Sequence, residues 1–467
     1  MRNRNIENNN NNNFRKDKII IVKTWQILFG IIFFTIFSLS VLSSSMPNSI
    51  EAQKAESEIE EEKQEGQHPI IKDPNLQAEL LVEGLSWPTS MTFIDNNNIL
   101  VLEKEKGTVR LVSNDILQEE PVLEVDVNTK AERGLLGIAM VNKDIIFLYY
   151  TESSEDDDDN DEEIKNKVYK YQWNDEERLL VNPTLILELP ATPGPDHVGG
   201  KMKIGPDNYL YVVIGDVKRE GKLQNIVNGP EPDDTGVILR INPEDGSPAP
   251  DNPFINTNDD LSSLNKYYAY GIRNSFGIAF DPITNTLWQT ENGPTEYDEV
   301  NVVKPGFNSG WNKVMGPISK GEITEDELVS LPNSKYADPV FSWFPSLGIT
   351  DIEFLNSSKL GDKYANNIFV GDIGDLTDGN LYYFEVNENR TGMKFDNNSR
   401  NSSSNNNNQT GLSDLIADNE EELSATALGT AFGGITDIET GPDGLLYILI
   451  LDREADGEGK IYKITQK

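Results

Sequence analysis

The chain has 467 residues, 78 acidic against 40 basic side chains, a formal charge of −38 and no cysteine. Such a charge excludes nucleic acid as a partner, because phosphate is repelled, and the absence of thiols excludes disulfide bracing and thiolate metal sites. The hydrophobic fraction of 37% is diluted by low-complexity stretches, so the remaining segments still supply a sizeable core, and one large propeller or barrel can absorb most of the length.

Residues 1–45 combine an Asn-rich basic tail (Arg2, Arg4, Arg15, Lys16, Lys18, Lys23) with an uncharged apolar run at residues 24–42. This pattern predicts an export signal. The run is long enough to span a bilayer as an uncleaved membrane anchor, and a cleavable signal peptide competes with that reading. The positive flank keeps the N-terminus inside and sends the rest of the chain to the extracytoplasmic side, secreted or anchored to the outer face of the membrane. Residues 46–77, rich in Glu, Gln and Lys, read as an acidic flexible stalk. The acidic runs at 58–65 and 155–163 read as a solvated linker and loop, with loose calcium binding by Asp156 to Asp159 as the alternative.

From residue 78 to 467 a repeat governs the pattern. A small-residue or Asp/Asn turn followed by an apolar strand recurs six times, starting at Ile99, Ile145, Leu210, Leu287, Ile368 and Leu446. Two of these strands follow the same turn, Gly205-Pro-Asp-Asn and Gly441-Pro-Asp-Gly. The strands are short, β-branched or aromatic, and bounded by Gly, Pro, Asn or Asp, and no long stretch after the anchor shows a helical period. The reading is all-β, a six-bladed β-propeller of unequal repeats. A disordered surface insertion is expected at about 390–424, where a Ser/Asn tract is too polar to bury surface. Acceptors of the N-x-S/T type stand at Asn356, Asn389, Asn397, Asn401 and Asn408, sites for glycosylation in a host that modifies exported proteins.

The chain has two histidines. His68 falls in the stalk. His197 stands in Gly194-Pro-Asp-His-Val-Gly-Gly-Lys-Met, directly before the third repeat strand, and a lone imidazole leaves structural and catalytic readings open.

Ordered motifs surround it: Gly84-Leu-Ser-Trp-Pro, Glu132-Arg-Gly-Leu-Leu-Gly, His197-Val-Gly-Gly-Lys-Met, Ile214-Gly-Asp, Gly271-Ile-Arg-Asn-Ser-Phe-Gly, Glu291-Asn-Gly-Pro, Asp298-Glu-Val-Asn and Gly306-Phe-Asn-Ser-Gly-Trp. Over residues 78–465 the chain resembles the soluble glucose and aldose dehydrogenases that use pyrroloquinoline quinone (PQQ), with their glucose/sorbosone dehydrogenase relatives. The resemblance implies an oxidoreductase for a sugar or related alcohol, PQQ and calcium as cofactors, and an external electron acceptor. It implies that His197 takes the hydroxyl proton while hydride leaves sugar C1 for a quinone carbon. Asp216 would fix the imidazole tautomer, Arg273 and Asn274 would face charge developing on the quinone oxygen, and the carbonyls of Gly293 and Pro294 would be oxygen ligands for calcium. Taken as bare residues, Asp216 reads equally as a turn cap and Arg273 as a buried brace.

Several positions depart from the family pattern. Glu132 replaces a glutamine beside the cofactor, Asn292 replaces a histidine in the calcium turn, and Gly374, Gly434 and Thr436 fall where a Lys and two Arg grip the PQQ carboxylates. Charge-assisted hydrogen bonds contribute roughly 1.5–3 kcal/mol each, so three losses weaken binding by about a thousandfold or more unless Lys201, Lys203, Lys218 or Arg219 compensates. Two rival readings follow: a non-catalytic propeller binding glycan or protein at the cell surface, and a calcium-dependent lactonase-like hydrolase on the same kind of scaffold.

Overall fold

The structure, a computed structural model, describes residues 69–153, 164–255, 262–374, 379–395, 411–452 and 456–467. The apolar run at 24–42, His68, the acidic runs at 58–65 and 155–163, and Asn397, Asn401 and Asn408 lie outside the described residues. Among the described residues no helix is long and apolar enough to cross a membrane.

The described strands form six sheets. Each strand of the sequence repeat is the second strand of its own sheet: Asn98–Glu103, Ile145–Thr151, Leu210–Ile214, Leu287–Glu291, Ile368–Asp372 and Leu446–Leu451. These strands are buried on both faces, which explains why they read as continuous apolar runs rather than alternating ones. Leu210, Val212 and Ile214 pack towards the second sheet, while Tyr211 and Val213 pack towards the fourth. Such two-sided packing places an apolar cluster in each gap between successive sheets, and fully burying a Leu or Ile there contributes about 1.5–3 kcal/mol.

The innermost strands run Pro88–Phe93, Leu135–Asn142, Met202–Ile204, Gly277–Phe280, Ile349–Phe354 and Gly434–Thr440. Each touches the next, and the last touches the first. The sheets therefore stand around an axis as a β-propeller. Hydrogen bonds close the ring: strand Leu76–Leu85, from the start of the repeat region, pairs antiparallel with the C-terminal strand Gly459–Gln466 in the sixth sheet. Farther upstream, Ile70 and Ile71 pair with Thr430 and Gly429 of the fifth sheet, so strand structure begins inside the stretch read as stalk.

The repeated turn has a structural reason. Asp207 accepts from Tyr211 Oη at 2.9 Å and from Arg240 Nε at 2.9 Å. Asp443 accepts from Tyr447 Oη at 3.1 Å and pairs with Lys463 at 2.7 Å. Each turn carboxylate thus ties three strands of one sheet by a tyrosine and a cation.

The expected insertion at about 390–424 is partly built structure. Arg390 Nε donates to Asp281 at 2.6 Å and Phe395 stacks on Phe341 with centroids 5.5 Å apart. Ile416–Ala417 runs parallel to Ser342 and Trp343 at the edge of the fourth sheet. A short helix, Glu420–Thr426, is capped by the Asn419 side chain, which accepts from Glu422 N–H at 3.1 Å. Leu412 and Leu423 anchor these flanks on the core between the fourth and fifth sheets, a signal diluted in the sequence by the adjoining Ser/Asn tract.

Candidate active site

Three loops meet around Gly215. His197 precedes the innermost strand of the third sheet, Asp216 follows its second strand, and Arg273 follows Tyr267–Tyr270. A Cβ on Gly215 would lie 2.3 Å from the His197 carbonyl oxygen and 2.6 Å from that of Arg273, so only glycine lets these backbones converge. His197 itself has φ 61, a left-handed conformation that non-glycine residues adopt when surrounding structure over-determines it.

Nδ1 of His197 lies 2.7 Å from Oδ1 of Asp216. The two side chains are 12% and 4% exposed, so the pair is shielded but reachable. Oδ1 also accepts from the Lys218 amide at 2.7 Å, and Oδ2 accepts from Trp311 Nε1 at 2.6 Å. A carboxylate that already takes two N–H donors is an acceptor towards the ring as well, so the proton between the two groups sits on Nδ1.

Arg273 is placed from two sides. Its amide donates to Glu291 Oε1 at 2.7 Å, one guanidinium nitrogen donates to the Asn292 carbonyl at 2.9 Å, and the guanidinium lies 5.5 Å from the Trp311 ring centroid. Burial pulls the Arg273 pKa below its ordinary value, opposed by the carboxylates of Asp216, Glu132, Glu291 and Asp298. Glu132 Oε2 accepts from the His197 amide at 2.8 Å and from Asn274 Nδ2 at 2.9 Å, which stitches together the loops that lead into the second, third and fourth sheets.

The Gly293–Pro294 turn is held by Asp298. That carboxylate accepts from Gly293 N–H at 2.9 Å and from the amides of Leu347 and Gly348, each at 2.7 Å. Asn292 Nδ2 braces the turn by donating to the Ile349 carbonyl at 2.6 Å. The replacement of histidine by Asn292 thus leaves the turn anchored.

The four compensating cations behave differently from what compensation requires. Lys201 pairs with Asp351 and Asp437, and Lys203 with Glu353 and Glu439. Lys218 pairs with Asp196, and Arg219 donates to Thr192 O and Asp233. Lys218 and Arg219 line a cleft of about 830 Å3 with Lys165, Thr192 and Pro193. Gly374, Gly434 and Thr436 bring no charge, and Ile373 closes the face of Gly434 with its Cδ1 2.8 Å from a Cβ there.

A model of the family described as Glucose / Sorbosone dehydrogenase covers residues 85–463. The chain belongs to that family. Among its relatives, an uncharacterised protein of Synechocystis sp. is 30% identical over 335 residues, 68% of this chain and 77% of that one. Aldose sugar dehydrogenase YliI of Escherichia coli is 23% identical over 397 residues, 84% of this chain and 93% of that one. The PQQ-bound structure of aldose sugar dehydrogenase from Streptomyces coelicolor superposes with a TM-score of 0.58 at 21% identity, covering 85% of this chain and 100% of that one. At that identity the superposition shows the shared fold.

Within this family member, two buried polar atoms beside His197 have no partner among the described residues, Arg273 Nε and Asn274 Oδ1. Buried polar groups without partners are costly, and a bound polar group facing them would satisfy both. The quinone end of PQQ would satisfy this pair, while Gly374, Gly434 and Thr436 offer its carboxylates no cation. No group of three or more His, Asp or Glu suited to a metal occurs among the described residues, so a calcium ion here would depend on main-chain oxygens such as those of Gly293 and Pro294. Two participants escaped sequence reasoning: Trp311 and Glu291 were visible only as members of ordered motifs, because their partners Asp216 and Arg273 lie 95 and 18 residues away.

Proposed function

We propose that this chain is an extracytoplasmic oxidoreductase that oxidises a sugar or related alcohol with PQQ and calcium, its six sheets serving as six blades around the site. The observation that carries this reading is the 2.7 Å contact between His197 Nδ1 and Asp216, which leaves Nε2 free to accept a hydroxyl proton. Bound PQQ would supply an electrophilic quinone carbon that accepts hydride. Arg273 and Asn274 would hold its quinone oxygen, and the Gly293 and Pro294 carbonyls would hold the calcium.

The protein's own part is proton transfer and positioning. His197 Nε2 takes the proton as general base, and Asp216 stabilises the imidazolium that forms. Arg273 offers a partly desolvated positive charge where negative charge develops. An external acceptor would then remove the electrons, in keeping with the reading of the apolar run at residues 24–42 as an export signal.

Purified protein supplied with calcium and PQQ should reduce a dye in the presence of aldoses, and His197→Ala should abolish the reduction. Wild-type protein without sugar-dependent reduction would overturn the proposal. Lactone hydrolysis without quinone would instead favour the lactonase-like reading.

A further inference from the structure

We propose that Trp311 is the positioning residue that locks Asp216, and through it the tautomer of His197; the inference rests on the base role given to His197 above. Two contacts converge on the one indole. Its Nε1–H donates to Asp216 Oδ2 at 2.6 Å, and its ring lies under the Arg273 guanidinium at 5.5 Å. Trp311 therefore touches both the group that orients the base and the cation that faces the cofactor.

The indole is held by its own backbone. Trp311 N–H donates to the Gly271 carbonyl at 3.0 Å, and its carbonyl accepts from Asn225 Nδ2 at 2.8 Å. Asn225 is fully buried and exchanges two amide bonds with Asn308, at 3.0 and 2.9 Å. Gly310, with φ 102, lets the chain enter this turn while Val314 and Tyr336 press on its open side. A side chain fixed at its root and donating at its tip leaves Asp216 one orientation. In that orientation Oδ1 faces His197 and Oδ2 faces the indole. Without the indole donor, Oδ2 loses its partner, only the Lys218 amide on Oδ1 is left to orient the carboxylate, and its hold on Nδ1–H weakens.

The test uses the chain's economy in histidine. With His68→Gln as background, His197 is the single imidazole, and long-range proton–nitrogen correlation on 15N-labelled full-length protein without cofactor reads its tautomer directly. The parent should show one tautomer, protonated at Nδ1, with a strongly downfield Nδ1 proton. Trp311→Phe, which keeps a ring beneath Arg273 but removes the donor, should show mixed tautomers and lose that downfield signal. If Trp311→Phe misfolds by circular dichroism, benzothienylalanine at position 311 keeps the indole shape without the N–H and should give the same result. An unchanged tautomer and proton signal in the folded variant would overturn the proposal. In protein loaded with calcium and PQQ, kcat should fall about 10- to 100-fold with KM for the sugar within about twofold. Wild-type protein that fails to turn over would sink the dehydrogenase reading while leaving the tautomer result to decide the role of Trp311.

Discussion

Lys201 Nζ lies 2.8 Å from Oδ2 of Asp351, a contact that joins the third sheet to the fifth between strands distant in the ring. Asp437 of the sixth sheet shares the same ammonium, and its Oδ2 accepts from the Met91 amide of the first sheet at 2.6 Å. Two residues on, Lys203 lies 2.7 Å from Glu439 and 3.7 Å from Glu353. The spacing of two is the pleat of a strand, so alternate side chains of three inner strands meet in two tiers. Two lysines face four carboxyls. Burial alone would push the Lys201 ammonium down, and Asp351 and Asp437 overcome it and hold it above its ordinary value.

Removing one member of such a buried cluster leaves charge without a partner. Lys201→Met should destabilise the protein by about 3–5 kcal/mol, read as a lower urea midpoint. Adding Asp437→Asn should recover part of the loss. A midpoint equal to wild type would show that the cluster does not hold the ring.

The sequence departure at Glu132 is tested through cofactor affinity. Glu132→Gln keeps an oxygen able to accept from the His197 amide and from Asn274, and removes a negative charge beside an anionic cofactor. PQQ affinity should rise about tenfold, equivalent to about 1.4 kcal/mol, measured by fluorescence titration in calcium. Unchanged or weaker binding would mean that Glu132 does not face the cofactor.

Asp216→Asn tests the His197 partner. An amide nitrogen turned towards Nδ1 would favour the wrong tautomer, so kcat should fall by about 100-fold or more while circular dichroism and KM stay near wild type. Full activity would remove Asp216 from the mechanism.

Glu291 and Glu299 face each other in register on adjacent strands, both buried. Burial pushes Glu291 up to about 7 from its ordinary 4.5, against hydrogen bonds from Ser309 and the Arg273 amide, and burial together with Glu291 raises Glu299. A raised folded-state pKa means that the native protein binds more protons than the unfolded chain between these values. The stabilisation is complete below about pH 4.5 and is lost as pH rises through about 7, a change on the order of 3 kcal/mol for Glu291. Glu291→Gln should therefore flatten the dependence of Tm on pH between about pH 5 and about pH 8 and raise Tm at the upper end by about 2 °C or more. A slope identical to wild type would exclude Glu291 as its source.

Much of this arrangement is legible in the chain itself. The six repeat strands are visible because each is buried on both faces, and their turns because Gly-Pro-Asp serves a local carboxylate triad twice. His197, Asp216, Arg273 and Asn274, each inside an ordered motif, stand on loops that the structure brings together. Less visible were the ordered flanks of the Ser/Asn tract, where Leu412 and Leu423 carry the packing, and Ile70 and Ile71, whose partners lie at the other end of the chain.

Strand, turn and motif are local properties, set by side-chain period, by glycine and proline geometry and by short-range hydrogen bonds, and the sequence alone determined them. Which groups are spent on one another is a long-range property. Lys201 and Lys203 read as free cations able to grip a ligand, yet closure of the ring brings each against carboxylates of the fifth and sixth sheets, Asp437 standing 236 residues from Lys201. Within the third sheet, the parallel pairing of Phe307 and Asn308 with Ala269 and Tyr270 carries Trp311 onto Asp216. Only the tertiary structure decided these pairings, because a buried charge takes whichever partner the fold brings within reach, and no local pattern records that choice.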